Sequence, residues 1–174
     1  MDSKKLNSLL VATSKKDKVY VQHEGDTVYV ANHVFAVQTH KDNLTGFFGK
    51  YPSLYSETGY ANMGTAYAGR DVPKVNQLFE EHKDGAKLSV TPLLYTGDEV
   101  TSRVLQHETG YATIQEQYHE AFAGHDFRLS AHAMGSLRPV LALNDAGEVT
   151  AVIAPTQIDS LDAHLAPIAQ AVAV

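Results

Sequence analysis

The 174 residues include no cysteine, which removes disulfides, thiolate zinc sites and cysteine nucleophiles together and fits a reducing compartment. No stretch approaches the roughly 18 apolar residues that a membrane helix needs. The apolar run after Met1-Asp2-Ser3-Lys4-Lys5-Leu6 is too short for a signal peptide. A soluble, cytoplasmic protein without membrane contact is therefore expected. Basic residues are few. Fourteen Lys and Arg stand against 20 Asp and Glu, and the formal charge of −6 disfavours indiscriminate binding to nucleic acid or anionic lipid. Catalytic signatures are also missing: there is no His-Glu-x-x-His, no Gly-x-Ser-x-Gly elbow, no Gly-x-Gly-x-x-Gly and no phosphate-binding loop. His119-Glu120 begins a zincin-like pattern, but position 123 is Ala123. No catalytic residue, metal or nucleotide cofactor is expected.

What is present is a repeated local pattern. The chain is 44% hydrophobic and long enough for one sizeable core or two small ones. Three stretches, about 3–37, 72–106 and 113–158, each read as a helix followed by a β-hairpin. The first has Leu6, Leu9 and Leu10 ahead of Lys18-Val19-Tyr20-Val21, a Glu24-Gly25-Asp26 turn and Thr27-Val28-Tyr29-Val30. The second has Val75, Leu78, Phe79 and His82 ahead of Lys87-Leu88-Ser89-Val90, a Gly97-Asp98 turn and Glu99-Val100-Thr101. The third has Ile114, Tyr118 and Phe122, then Arg128 to Ala131, Pro139 to Leu143, a turn at Asn144-Asp145-Ala146-Gly147, and Glu148 to Ile153. Helix ends are signed by Asp71 and Pro73, by Gly85, by a Thr113/Glu116 capping box, and by Gly124. The strands are rich in Val, Leu, Ile, Thr and Tyr between turn residues. A single α+β domain over 1–158, with helix–hairpin units around a mainly antiparallel sheet, is expected. Residues 159–174 would add a closing helix or a tail.

Residues 41–71 have no clear period. They mix Tyr51, Tyr55, Tyr60 and Tyr67 with five glycines, a composition that suits either a contact surface or an irregular strand pair packed on the sheet. Glu-Thr-Gly-Tyr-Ala occurs at both 57–61 and 108–112. Histidines are numerous but lack ligand spacing. A ligand pocket built from Tyr60 and Tyr67 with His107, His119 or His132 is one reading of these groups; scattered surface and core residues is the other.

The charge distribution says more than its sum. Lys4, Lys5, Lys15, Lys16 and Lys18 crowd the first 18 residues. On a helix over 3–16 at about 100° per residue, Lys4, Lys5, Lys15 and Lys16 share one side with Ser8 and Ala12, and Leu6, Leu9, Leu10 and Thr13 take the other. Such a face is either a solvated helix surface or a phosphate-facing one.

The segment from Ile114 to Ile158 resembles the last half-domain of bacterial sliding clamps, the rings that tether polymerases to DNA. The matching run is Tyr118-His119-Glu120-Ala121-Phe122, Phe127 to Ala131, Gly135 to Leu141, Asp145-Ala146-Gly147-Glu148 and Val152-Ile153-Ala154-Pro155. Leu6 to Val37 is similar to the family's opening helix and hairpin. The chain departs from the family in having three units rather than two, Ala154 where methionine is usual, and Glu80, Glu81, Glu116 and Glu120 on its second and third helices. The resemblance implies a clamp-like, non-enzymatic, DNA-associated or protein-interaction module, such as a virus-derived or accessory protein. It implies weak, sequence-independent contact of Lys4, Lys5, Lys15 and Lys16 with double-stranded DNA, and replication-type protein partners. Exposed strand edges add the expectation of a homo-oligomer, a dimer rather than a large ring. A small enzyme or ligand-binding protein using the pocket residues of segment 46–69 is the alternative.

Overall fold

A computed structural model describes residues 1–97 and 100–158; the expected Gly97-Asp98 turn and the 159–174 tail lie wholly or partly outside them. Among the described residues four α-helices, α1 (Ser3–Ser14), α2 (Thr45–Lys50), α3 (Val75–Glu81) and α4 (Glu116–Ala121), accompany eleven strands. The strands are β1 (Val19–Glu24), β2 (Thr27–Ala31), β3 (Phe35–His40), β4 (Gly59–Asn62), β5 (Thr65–Ala68), β6 (Gly85–Thr96), β7 (Thr101–His107), β8 (Gly110–Gln115), β9 (Asp126–Ser130), β10 (Val140–Leu143) and β11 (Val149–Ile153). They form one sheet in the order β5-β4-β1-β2-β3-β11-β10-β9-β6-β7-β8, and every pairing is antiparallel. The expected α+β class with a mainly antiparallel sheet is what the chain adopts.

Alternation along each strand builds two apolar layers. Val19, Val21, Val28, Val30, Phe35, Val37, Phe127, Val140, Ala142, Ala151 and Ile153 face one way and share a core with Leu6, Leu9 and Leu10 of α1, Phe47 and Phe48 of α2, and Tyr118, Ala121 and Phe122 of α4. Tyr29, Ala31, Ala36, Leu141, Leu143 and Val152 face the other way and are covered by Val75 and Phe79 of α3. Burying each of the Val, Leu, Ile and Phe side chains stabilises the fold by about 1.5–3 kcal/mol.

The first and third units, α1-β1-β2-β3 and α4-β9-β10-β11, meet at the central β3–β11 pair, with Val37 opposite Ala151 and Phe35 opposite Ile153. The order β1-β2-β3-β11-β10-β9 is symmetric about the β3–β11 pair, so the two units have the same strand topology. Their helices lie on the same face, joined where Asp2 N donates to Ala121 O at 2.8 Å. The second unit does not repeat this arrangement. Its helix α3 sits on the opposite face, and β6, β7 and β8 extend the sheet beyond β9. β6 shifts register between Val90 and Leu94, around Pro92, which has no N–H to give to a ladder.

Local signals at the helix ends are used differently from their expected roles. The α3 N-cap is Lys74, with no side-chain cap, and the helix stops at His82, so Asp71 and Pro73 precede it and Gly85 opens β6 instead. Thr113 lies inside β8, where its hydroxyl donates to Thr156 O at 2.6 Å; the capping box is therefore not formed, and the N-cap of α4 is Gln115. α1 ends at Ser14, two residues short of Lys16. The unperiodic segment resolves into a 3-10 turn, α2, a second 3-10 turn and the β4–β5 hairpin. Both copies of Glu-Thr-Gly-Tyr-Ala lead from a turn into a strand, at Gly59 and Gly110.

Candidate nucleic-acid interface

Helix α1 begins where the Asp2 carboxylate accepts from Lys5 N at 3.0 Å, a standard N-cap bond. Its apolar spacing turns Leu6, Leu9 and Leu10 into the sheet, leaving Lys4, Lys5, Ser8 and Ala12 exposed. Lys15 and Lys16 follow the last helical residue and are exposed too. At 1.5 Å per residue, Lys4 and Lys15 are about 16 Å apart along the axis. Two lysine pairs thus flank a stretch of small side chains.

α2 extends this face, a contribution invisible in the sequence pattern because the helix is only six residues long. Asn7, one of the few buried polar groups of α1, holds it. Asn7 Nδ2 donates to Asn43 O at 2.8 Å and to Ser3 O at 2.6 Å, and Asn7 Oδ1 accepts from Phe47 N at 2.7 Å. The last of these satisfies an N-terminal amide of α2. A second buried link joins the Ser14 and Tyr51 hydroxyls at 2.7 Å. The outer side of α2 presents Thr45, Gly49 and Lys50, all exposed. Phe47, Phe48, Tyr51 and Leu54 were the signal that this segment carries its own buried face.

α4 supplies Gln117 and Glu120 to the same surface, across a groove of about 590 Å³ that Lys4, Ser8 and Ala12 line from the other side. Glu120 pairs with Lys5 at 3.3 Å, both about half exposed, an arrangement worth at most about 1 kcal/mol. Glu116 is turned away from this surface. The Arg103 guanidinium binds its carboxylate through two nitrogens, one contact being Nε to Oε2 at 2.8 Å, and holds its pKa below the usual carboxylate range. Glu80 and Glu81 belong to α3 on the far side of the sheet. Of the four glutamates that sequence placed on helices, only Glu120 therefore shares the α1–α2 surface. Beneath α4, burial pushes the Tyr118 hydroxyl up to about 12, with its ring 4.9 Å from that of Phe35.

The alternative pocket residues are dispersed. Tyr60 and Tyr67 are cross-strand partners with ring centroids 4.9 Å apart, and Lys18 Nζ lies 4.5 Å from the Tyr60 centroid, the geometry of a cation–π contact. His107 sits at the β7–β8 turn with Thr109, near the other end of the sheet order. His119 lies against Phe127, and His132 follows β9. Among the described residues no group of three or more His, Asp or Glu is placed to hold a metal ion. A polar cleft of about 560 Å³ includes His40, His125, Asn144, Asp145 and Glu148. Its acidic end is a turn whose groups are committed locally, since Asn144 Oδ1 accepts from Ala146 N and Glu148 N, each at 3.0 Å. Among the described residues no helix is long and apolar enough to cross a membrane.

No protein-family model matches the chain, and no curated protein or solved structure shows significant similarity to it.

Proposed function

We propose that this protein is a clamp-like, non-enzymatic module that associates with double-stranded DNA through the α1–α2 face. The observation that carries this reading is the lysine-flanked strip of Lys4, Lys5, Ser8, Ala12, Lys15 and Lys16, with Gly49 and Lys50 on the adjoining α2, all exposed on a chain of net negative charge. Two further features support it. The helices of the first and third units lie on one face of a sheet whose central strand order is symmetric, which suits the clamp resemblance. The α3 glutamates are removed from that face.

The contact is electrostatic, so it is indifferent to base sequence and falls with salt. Five lysines at about 0.9 per phosphate set a salt slope of magnitude at most roughly 4.5 on duplex DNA. Changing Lys4, Lys5, Lys15 and Lys16 to Gln abolishes measurable binding and costs at most about 1 kcal/mol of stability, through the lost Lys5–Glu120 pair. Arg128→Gln, on the opposite face in register with Leu141, changes binding little. Fluorescence anisotropy of a labelled duplex at 20–200 mM salt, a range chosen to resolve the slope, is the test. No binding by the wild-type protein at low salt, or equal binding by the quadruple variant, refutes the proposal.

A further inference from the structure

The two outer strands of the sheet are in different states. At β8 the chain returns on itself, with Thr156 N donating to Thr113 O at 2.8 Å and the Thr113 hydroxyl donating to Thr156 O at 2.6 Å. At β5, β4 is the only bonded neighbour among the described residues. The β4–β5 hairpin turns through Met63 and Gly64, both at positive φ (49° and 78°). In such a two-residue hairpin the flanking pair Asn62–Thr65, and then Tyr60–Tyr67, exchange the ladder hydrogen bonds. Ala66 and Ala68 alternate with them, so their N–H and C=O groups point outward, where no described residue hydrogen-bonds to them, although the 3-10 turn at Pro52–Tyr55 lies beside the strand.

Natural sheets guard such edges with charge, proline or a bulge. Thr65-Ala66-Tyr67-Ala68 has none of these, and its register with β4 is unbroken; its four-residue length limits the edge without closing it. We infer that the β5 edge is a self-association surface, pairing antiparallel with β5 of a second copy about a two-fold axis at Tyr67. A head-to-tail array needs both edges, and the β8 edge is crossed at Thr113 by the chain at Thr156, whereas a two-fold pair uses β5 twice. Of the registers that keep opposed residues on one sheet face, the one centred on Tyr67 is the register that pairs Ala66 with Ala68 of the second copy on both sides of the axis. Ala66 and Ala68 then bond reciprocally, giving four backbone hydrogen bonds. Tyr67, 39% exposed, continues the row of rings begun by Tyr20 and Tyr60, whose centroids are 6.2 Å apart. Strands this short bury less than a permanent interface requires, so the dimer is reversible and concentration-dependent. This inference rests on the strand edge alone and is independent of the DNA reading.

The absence of cysteine makes the test clean. Tyr67 would occupy a non-hydrogen-bonded pair with Cα atoms about 4.5 Å apart, within disulfide range. Thr65 faces the same side but lies about 13 Å from its counterpart at 3.3 Å per residue. Under mild oxidation most of the Tyr67→Cys protein should become covalent dimer on non-reducing electrophoresis, and Thr65→Cys should stay monomeric. Sedimentation of the unmodified protein should show a monomer–dimer equilibrium, and Tyr67→Lys should weaken it at least tenfold with an unchanged circular dichroism spectrum. A wild-type monomer at every concentration, equal cross-linking at both positions, or assemblies larger than a dimer overturns the inference.

Discussion

Asn7 offers a quantitative test of how the helical layer is held. Its amide makes three hydrogen bonds, to Ser3 O, Asn43 O and Phe47 N, and the residue is 9% exposed. Asn7→Ala deletes all three. At about 1 kcal/mol net per bond, with the buried Phe47 N–H left unpaired, the loss is roughly 3–4 kcal/mol. Water cannot easily replace the side chain, because the α1–α2 contact is close: a Cβ on Gly46 would lie 3.1 Å from that of Asn7. Urea denaturation followed by far-ultraviolet circular dichroism measures the effect. With a slope of about 1–3 kcal/mol per molar urea, the midpoint falls by at least about 1 M at constant slope. Asn7→Asp separates the contributions. It keeps an acceptor for Phe47 N but turns a carboxylate toward two carbonyl oxygens, so it destabilises at neutral pH and recovers as the acid protonates. A loss below about 1 kcal/mol for Asn7→Ala would refute the assignment of Asn7 as the joint between α1 and α2.

Two further predictions concern ionisable groups. His82 is buried beside the Ser130 hydroxyl, with Nδ1 2.8 Å from Oγ, and burial lowers its pKa below the ordinary 6.5. The unfolded chain therefore takes up a proton first. Stability is complete above about pH 6.5 and falls as pH drops toward the folded value, by at most about 1.4 kcal/mol per unit from this group. His82→Gln should remove that increment, and parallel stability–pH curves for the two proteins would contradict it. In the Arg103–Glu116 pair both side chains are less than one-fifth exposed, and Arg103 Nη1 also donates to Thr91 O at 3.2 Å beside the β6 irregularity. Glu116→Gln should cost about 2 kcal/mol by stranding the guanidinium, while Glu116→Leu with Arg103→Met recovers most of the loss. A double variant no more stable than the single one would show that the pair is not the relevant interaction.

Features that depend on neighbours in sequence were legible before any tertiary structure was known. The spacing of Leu6, Leu9 and Leu10 dictates both the buried side of α1 and, by elimination, the lysine side. Gly25 (φ 62°) and Gly147 (φ 78°) close the two hairpins whose strands alternate around them, because turn geometry and strand pairing there involve residues only a few positions apart. The irregular segment 41–71 was opaque for the same reason. α2 is too short to show a period, and what holds it is Asn7, 40 positions from Phe47.

Long-range packing decided the rest. Three units look equivalent in sequence, yet only the first and third pair across β3 and β11. α3 instead covers the opposite apolar face, formed by Tyr29, Leu141, Leu143 and Val152. Both faces of the central strands are apolar, so each required a helix, and a one-dimensional pattern does not say which helix takes which side. The side matters for charge as well as packing, because it separates Glu80 and Glu81 from the lysines of α1. Composition and periodicity determined the elements and their buried faces. The sheet order and the partition of helices between two apolar layers came from the competition of those layers for cover.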